Sequence, residues 1–198
     1  YRFIEFFVPG IIAMSVMILS LFGTVHLNTE LRQKGVIRKL STTPITRTDW
    51  ILSNIVYQFI LAVISTMAML LVSYAVFHVS LHINAWLPAF ILLDVFTFVG
   101  IGMILTRFVK EAQSAAAAAN AIMFPMMFLS GSFWDLSSSP EYLQWISKAM
   151  PLTYLNDGLR DTMVFGNDSS ALVNLVIIVV MGLVFFVLAS RWMSWKAK

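Results

Sequence analysis

Residues that could perform chemistry are few in this sequence, and they are widely spaced. The three histidines, His26, His78 and His82, stand near the ends of apolar stretches, where side-chain packing is their expected role. Cysteine is absent, so thiolate metal sites and disulfides are not expected. Neither the H-E-x-x-H zinc motif nor the G-x-x-x-x-G-K-[ST] phosphate-binding motif occurs. The sequence therefore predicts a chain that is not an enzyme and that holds no metal or nucleotide cofactor of its own.

Asp94 is the acid that stands inside a long apolar stretch. A charged side chain in the interior of a bilayer costs about 2.5–3.5 kcal/mol on insertion scales, so it normally faces a cavity or a partner. Substrate contact, proton coupling and a hydrogen bond to a neighbouring helix are all open for it. Asn54 and Asn120 present the same choice in weaker form. These three residues are weak candidates for lining a substrate pathway.

The elements that position these residues are apolar runs. The chain is 59% hydrophobic and 12% charged, whereas a soluble domain has about 25% charged residues. A helix that crosses a bilayer needs about 20 apolar residues. The runs are apolar all round and lack the alternation of barrel strands. They predict an all-α polytopic membrane helix bundle with five spans, near 5–28, 50–77, 86–107, 112–134 and 170–192.

The distribution of positive charge predicts the orientation of the spans. Ten of the 13 Lys and Arg residues fall in 29–49, 107–111 and the tail 191–198, which five alternating spans place on one face. Lys and Arg concentrate on the cytoplasmic side of membrane proteins. The C-terminus is therefore expected in the cytoplasm and the N-terminus outside. The basic excess is explained by topology, so no nucleic-acid partner is expected.

The predicted outer position of the N-terminus has a further implication. The chain begins with Tyr1 and shows no signal peptide. An N-terminus outside usually requires an earlier span or a cleaved signal. The sequence is therefore expected to be a fragment that lacks an upstream span, forming a single transmembrane domain over residues 1–198.

The polar segment 29–49, which we call the elbow, separates the first two spans. Apolar residues at near-helical spacing predict a short amphipathic helix that ends before Pro44. These residues are Leu31, Val36, Ile37 and Leu40. Thr46–Asp49 then fits a capping box in front of the next span. The pattern favours an elbow that is held in the cytoplasm.

The segment 136–169, before the last span, predicts a pair of short helices outside. Pro151 ends the first, and Thr153 is the expected cap of the second. Leu155, Leu159 and Met163 share one face of the second helix, with Arg160 off that face. Each helix is too short to cross a bilayer, so the pair is expected to cover the outer mouth of the bundle.

Three stretches together resemble a known family: "VPGII" at the start, "LRQKGVIRKLSTTPIT" in the elbow and "PEYLQWISKAMPLTYLNDGLRD" before the last span. Their order and spacing are similar to those of the membrane (permease) subunit of type-2 ATP-binding-cassette (ABC) exporters, in the drug-export-like subgroup. The resemblance covers essentially the whole chain and implies that it holds spans two to six of a six-span unit.

The resemblance implies roles for residues at both ends of the bundle. A coupling helix that seats on the ATPase would include Glu30, Arg32, Gly35, Arg38, Leu40, Thr43 and Pro44. The family often has an acid two residues before the glycine and a threonine just after it, where this chain has Gln33 and Val36. A gate at the extracellular end would include Pro151, Thr153, Tyr154 and Arg160.

The resemblance also implies a function and partners. The chain is expected to export a small amphiphilic or lipid-like molecule, energised by a separate ABC ATPase subunit that binds ATP and Mg. A second permease copy, identical or a close paralogue, and the lipid bilayer complete the expected assembly, in the plasma membrane of a prokaryote. Two alternatives stay open: a structural or signalling scaffold that docks a non-ATPase partner, and an ion-coupled transporter that uses Asp94.

Overall fold

The computed structural model describes residues 3–40, 42–78, 83–109, 111–134 and 136–192, apart from the side chains of Phe3, Arg38, Leu40, Ala112 and Ser138. Within these residues the chain is helical and contains no strand. The helices are α1 (Phe3–Gln33), α2 (Val36–Leu40), α3 (Arg47–Phe77), α4 (Trp86–Phe108), α5 (Ala112–Leu129), α6 (Glu141–Ser147), α7 (Pro151–Arg160) and α8 (Asp168–Trp192). A 3₁₀ turn spans Leu136–Ser138 and a π-helical turn spans Asp161–Phe165.

In the described part of the chain, four helices are long and apolar enough to cross a membrane: α1, α3, α4 and α8. The predicted all-α membrane bundle is confirmed. The fourth predicted span, 112–134, is shorter than expected, because α5 has 18 residues and ends at Leu129. An α-helix of that length covers about 27 Å. The apolar sequence continues beyond Leu129, but Gly131 turns the chain with a φ of 76°.

The first span extends further than predicted. Helix α1 continues to Gln33, five residues past the expected end at 28, so the first charged residues of the elbow belong to α1. Gly35, with a φ of 70°, then separates α1 from α2. The predicted amphipathic helix is therefore divided, and its second part has only five residues. Glycine is the residue that adopts this left-handed conformation at least cost.

Helix α4 lies in the centre of the bundle, between α1 and α8. A Cβ on Gly100 would lie 3.2 Å from the Phe185 side chain on α8. A Cβ on Gly102 would lie 3.0 Å from Thr24 and 3.3 Å from the Leu21 carbonyl on α1. Small residues let helix backbones approach closely in lipid. The two glycines therefore bring α1 and α8 against opposite faces of α4.

Helix α3 has polar side chains on its buried face and an exposed face that is largely apolar. Ile51, Ile55 and Ala62 are buried beside these polar side chains. The buried polar residues are Asn54, Gln58, Thr66 and Ser73, and the exposed apolar residues include Val56, Ile60, Ile64, Met67 and Leu71. Polar side chains at such interfaces bond neighbouring helices, while apolar ones contact lipid. This arrangement suits a helix at the periphery of a membrane bundle.

The short helices α6 and α7 pack at the end of the bundle where α1 begins, which we call the short-helix end. The opposite end, where α1 leads into α2, is the elbow end. Leu155, Leu159 and Met163 are buried as expected. One local prediction is wrong, because Thr153 lies inside α7, whose N-cap is Met150. Arg160, predicted to lie off the apolar face, is buried, and its guanidinium bonds to neighbouring backbone.

Candidate coupling segment and candidate gate

The elbow begins with an exposed ion pair. Lys34 Nζ lies 2.5 Å from Glu30 Oε1, one helical turn earlier, and His26 Nε2 lies 4.0 Å from the other carboxylate oxygen. Exposed i, i+4 pairs contribute only about 0.3–0.5 kcal/mol. A Cβ on Gly35 would have no neighbour within 4 Å. The backbone conformation, and not space, therefore requires glycine at this junction.

Arg32 turns towards the bundle. Its Nη1 donates to the Thr106 carbonyl at 2.6 Å and to the Val109 carbonyl at 3.4 Å. Both carbonyls lie at the C-terminal end of α4, where helix carbonyls lack partners within the helix. Arginine near a helix C-terminus also interacts favourably with the helix dipole. Arg32 therefore joins the end of α1 to the end of α4.

The tip of the elbow is exposed. Thr43 and Pro44 both lie on its surface. The side chains of Arg38 and Leu40, predicted to belong to the same coupling set, lie outside the described part of the chain. Val36 is half-buried and Gln33 is exposed. The exposed residues provide a surface on which another protein could dock.

The predicted capping box at the start of α3 is confirmed. The Asp49 amide donates to Thr46 Oγ1 at 3.2 Å, and the Thr46 amide donates to Asp49 Oδ2 at 3.0 Å. A reciprocal pair of this kind satisfies two amide donors that the helix leaves unpaired. It also fixes the direction in which the chain leaves the elbow and enters α3.

A polar network joins α1 to α3 beneath the elbow. Asn28 Oδ1 accepts a hydrogen bond from Trp50 Nε1 at 2.8 Å, and Asn28 Nδ2 donates to Asn54 Oδ1 at 3.2 Å. Asn54 Nδ2 in turn donates to the Trp50 carbonyl at 3.0 Å. Sequence reasoning singled out Asn54 and missed Asn28, although the two asparagines flank the elbow on its two sides. Their amide groups hold the two arms of the elbow together.

The three candidate pathway residues lie on different helices. Asn54 on α3 and Asp94 on α4 are buried, and Asn120 on α5 is half-buried. Asp94 Oδ1 has no hydrogen-bond partner among the described residues. The side-chain amide of Asn54 is hydrogen-bonded to Asn28 and to the Trp50 carbonyl in the polar network beneath the elbow. The structure therefore assigns Asn54 a contact between helices and leaves Asp94 as a buried carboxyl group with an open oxygen.

At the short-helix end, Arg160 joins three segments. Its Nη2 donates to the Gly131 carbonyl at 2.8 Å, and its Nε donates to the Phe6 carbonyl at 3.2 Å. Its guanidinium also lies over the Phe6 ring, and Asp157 Oδ1 lies 4.0 Å from its Nη1. Charge-assisted hydrogen bonds are the stronger kind. Arg160 therefore holds α7, the turn after α5 and the start of α1 together.

The other candidate gate residues fix the joint between α6 and α7. Thr153 Oγ1 donates to the Ser147 carbonyl at 2.7 Å, and Tyr154 Oη donates to the Lys148 carbonyl at 2.7 Å. Pro151 occupies the first position of α7, where its missing amide costs no helical hydrogen bond. These contacts hold the two short helices in a fixed relative position.

Asn156 is a second link in this region that sequence reasoning missed. It is fully buried, and its Nδ2 donates to Ser132 Oγ at 2.9 Å and to the Ser130 carbonyl at 3.1 Å. Its position between Leu155 and the acidic Asp157 gives no signal of burial in the sequence. Asn156 and Arg160, one helical turn apart, both bond to the turn after α5.

A polar pocket of about 620 Å³ opens beside Arg160. Asp161 on the π-helical turn and Asn174 on α8 lie in its wall, and Asn174 Nδ2 donates to Asp161 Oδ2 at 3.1 Å. Burial raises the pKa of the Asp161 carboxyl, and the hydrogen bond from Asn174 partly offsets this rise. A second, apolar cleft of about 560 Å³ lies between α1 and α3 at the same end. Among the described residues, no group of three His, Asp or Glu side chains could hold a metal ion.

Comparison with known proteins gives one family and several relatives. The family model described as "ABC-2 type transporter" matches residues 2–164. The chain is 24% identical over 199 residues to "Probable multidrug ABC transporter permease YbhS" of Escherichia coli (strain K12), covering 98% of this chain and 52% of that protein.

Two further relatives carry names that refer to other processes. "Nodulation protein J" of Sinorhizobium fredii is 25% identical over 162 residues, covering 81% of this chain and 62% of that protein. "Linearmycin resistance permease protein LnrN" of Bacillus subtilis is 23% identical over 150 residues, covering 76% and 39%. The chain thus spans about half the length of YbhS and less than two thirds of the other two relatives.

Proposed function

Because the chain belongs to the ABC-2 type transporter family, we propose that it is the permease part of an ATP-driven exporter in which a separate ABC ATPase subunit docks on the elbow. The observation that carries the proposal is the construction of the elbow. Its tip is exposed, while its base is bonded to α4 through Arg32 and to α3 through Asn28. A force applied to the tip therefore reaches two spanning helices.

The capping box supports the same mechanism. A coupling segment has to move a helix without melting its first turn. The reciprocal hydrogen bonds of Thr46 and Asp49 stabilise that turn of α3. ATP and Mg would be bound by the ATPase partner, and the residues of this chain would convert the movement of that partner into movement of the spans.

The short-helix end is the proposed extracellular gate. Arg160 and Asn156 bond the turn after α5, and Arg160 also bonds the start of α1. These contacts hold α7, the turn after α5 and the start of α1 together, as a closed gate would require. Opening it requires α7 to separate from at least one of the two segments. A second permease copy would complete the pathway, in the plasma membrane of a prokaryote.

The proposed cargo is a small amphiphilic or lipid-like molecule. Two relatives carry names that refer to multidrug transport and to linearmycin resistance. In this chain, a polar pocket and an apolar cleft lie at the short-helix end, at opposite sides of the start of α1. A molecule with one polar and one apolar end matches these two surfaces. A structural or signalling scaffold would not need this pair of polar and apolar surfaces.

Proteoliposomes containing the affinity-purified protein and the ATPase that co-purifies with it test the proposal. We expect efflux of a fluorescent amphiphilic dye that requires ATP hydrolysis and stops with a non-hydrolysable analogue. Absence of an ATPase from the purified complex would favour the scaffold alternative. Transport that continues without ATP under a proton or sodium gradient would favour the ion-coupled alternative.

A further inference from the structure

Arg32 does not point away from the bundle towards a docked protein. Its Nη1 donates to the Thr106 and Val109 carbonyls of α4, and its side chain is partly buried. The exposed charges nearby, Glu30 and Lys34, are paired with each other. The contact of Arg32 with α4 is thus a polar link between the last turn of α1 and another span.

The two acceptor carbonyls occupy a special place in the chain. Thr106 is in the last turn of α4, and Val109 is the C-cap residue directly after it. Both residues are buried. Helix α5 begins at Ala112, only three residues later. A displacement of Val109 therefore acts on the end of α4 and on the start of α5 together.

Helix α3 receives the movement of the elbow by a different route. The chain itself runs from the elbow through the capped residue Thr46 into α3. Neither α4 nor α5 has a covalent connection of this kind to the elbow. Without the guanidinium of Arg32, the hydrogen bonds that it donates from the last turn of α1 to the end of α4 would be lost.

We propose that Arg32 is a positioning residue that transmits displacement of the elbow to α4 and α5, and that it does not contact the ATPase directly. The inference rests on the proposed function, because it needs an ATPase that moves the elbow. It differs from the role that the family resemblance implies for Arg32. The arginine fork allows one side chain to hold two carbonyls, which a lysine ammonium does with less geometric definition.

Site-specific labels on the assembled complex with its ATPase test the inference. The chain has no cysteine, so single substitutions can be labelled selectively. Lys39→Cys reports on the elbow and Gln113→Cys reports on the start of α5, since both side chains are exposed. The mobility of a spin label at each position is measured with and without ATP, and cargo efflux per ATP hydrolysed is measured in parallel.

In the background with native Arg32, we expect ATP to change the signal at both positions. Arg32→Gln should retain the response at the elbow, lose that at α5, and lower efflux per ATP about 2- to 30-fold, the range that single coupling contacts span. Arg32→Lys should fall between the two. Arg107→Gln, which removes an exposed arginine outside the elbow that donates to the Trp192 carbonyl of α8, is the matched control and should behave like the unaltered protein.

Two results overturn the inference alone. A normal α5 response in Arg32→Gln would show that another contact transmits the movement. Loss of the ATPase from the Arg32→Gln complex, with Arg32→Lys restoring it, would show that Arg32 docks the ATPase directly. Failure of the native-Arg32 complex to respond at the elbow would instead overturn the proposed function, and the inference with it.

Discussion

The guanidinium carbon of Arg160 lies 3.8 Å from the centroid of the Phe6 ring, while Arg160 Nε donates to the carbonyl of the same residue at 3.2 Å. These two residues are 154 positions apart in the sequence. The double contact joins the start of the first span to the last turn of α7. A cation over an aromatic ring contributes about 2 kcal/mol when both groups are desolvated. The pair therefore holds α7 against the start of α1 at the short-helix end of the bundle.

Replacing Arg160 should destabilise this end. Arg160→Ala removes the ring contact and the donor to the half-buried Phe6 carbonyl, and it leaves the buried Gly131 carbonyl without this donor, a loss of about 1–3 kcal/mol for that buried group. We expect a lower thermal midpoint, followed by intrinsic fluorescence in detergent, and a higher passive leak of dye from proteoliposomes. Arg160→Lys, which keeps the charge, should lose less. An unchanged midpoint and leak in Arg160→Ala would contradict the role assigned to the pair.

A separate prediction concerns Gly10, where α1 approaches the turn after α5. A Cβ on Gly10 would lie 2.7 Å from the Ser132 carbonyl oxygen, and backbone there cannot move aside cheaply. Glycine to alanine in an exposed helix stabilises by about 1 kcal/mol, but overpacking costs about 1–3 kcal/mol. Gly10→Ala should therefore lower the thermal midpoint.

Gly23→Ala is the matched control for this substitution on the same helix. Its new Cβ would meet the end of the flexible Gln58 side chain, which can turn away. The control should cost less stability than Gly10→Ala. Equal effects of the two substitutions would show that the close approach to Ser132 is not what requires glycine at position 10.

The spanning helices follow from the sequence to within a few residues where an apolar run and a helix coincide. The expected spans 50–77, 86–107 and 170–192 are observed as α3, α4 and α8. The predicted C-terminal ends of the first and fourth spans were wrong for the same reason. Hydropathy reports where a chain is apolar, whereas helices end where the backbone turns. At Gly35 the turn lies beyond the apolar run, and at Gly131 it lies within it.

The contacts of the two arginines could not be predicted in the same way. Arg32 and Arg160 bond to backbone carbonyls of segments 74 and 154 residues away. Every residue carries such a carbonyl, so residue type gives no signal of the pairing. The sequence could place each arginine at the correct end of the bundle. Its partner depends on how the helices pack, which a single sequence does not encode in any local pattern.

The capping box of α3 should matter for coupling more than for insertion. Thr46→Ala removes the acceptor of the Asp49 amide, which costs about 0.5–2 kcal/mol in comparable helices. We expect normal membrane insertion but weaker stimulation of ATP hydrolysis by cargo, because the first turn of α3 frays under load. Thr46→Ser keeps the hydroxyl and is the control. If Thr46→Ala couples as well as Thr46→Ser, stiffness at this joint is unimportant.

Substitution of Asp94 distinguishes ATP-driven transport from ion-coupled transport. Its carboxyl is buried, with one oxygen lacking a partner among the described residues. Asp94→Asn preserves the shape and removes the ionisable group. If ATP is the energy source, efflux with ATP should be retained, and the thermal midpoint should be equal or higher because a buried acid is replaced by a neutral amide. A folded Asp94→Asn protein that loses transport, together with gradient-driven transport by the native protein, would support ion coupling.

Cross-linking from the exposed tip of the elbow tests directly whether an ABC ATPase docks there. Thr43 on the elbow and Tyr142 at the opposite end of the bundle both have exposed side chains. The chain contains no cysteine, so Thr43→Cys and Tyr142→Cys each introduce a single reactive thiol. Each is modified with a short photoreactive cross-linker in the purified complex, and adducts are identified by mass spectrometry. We expect an adduct between Thr43→Cys and the ATPase, and none from Tyr142→Cys. An ATPase adduct from Tyr142→Cys, or none from Thr43→Cys, would contradict docking of the ATPase on the elbow.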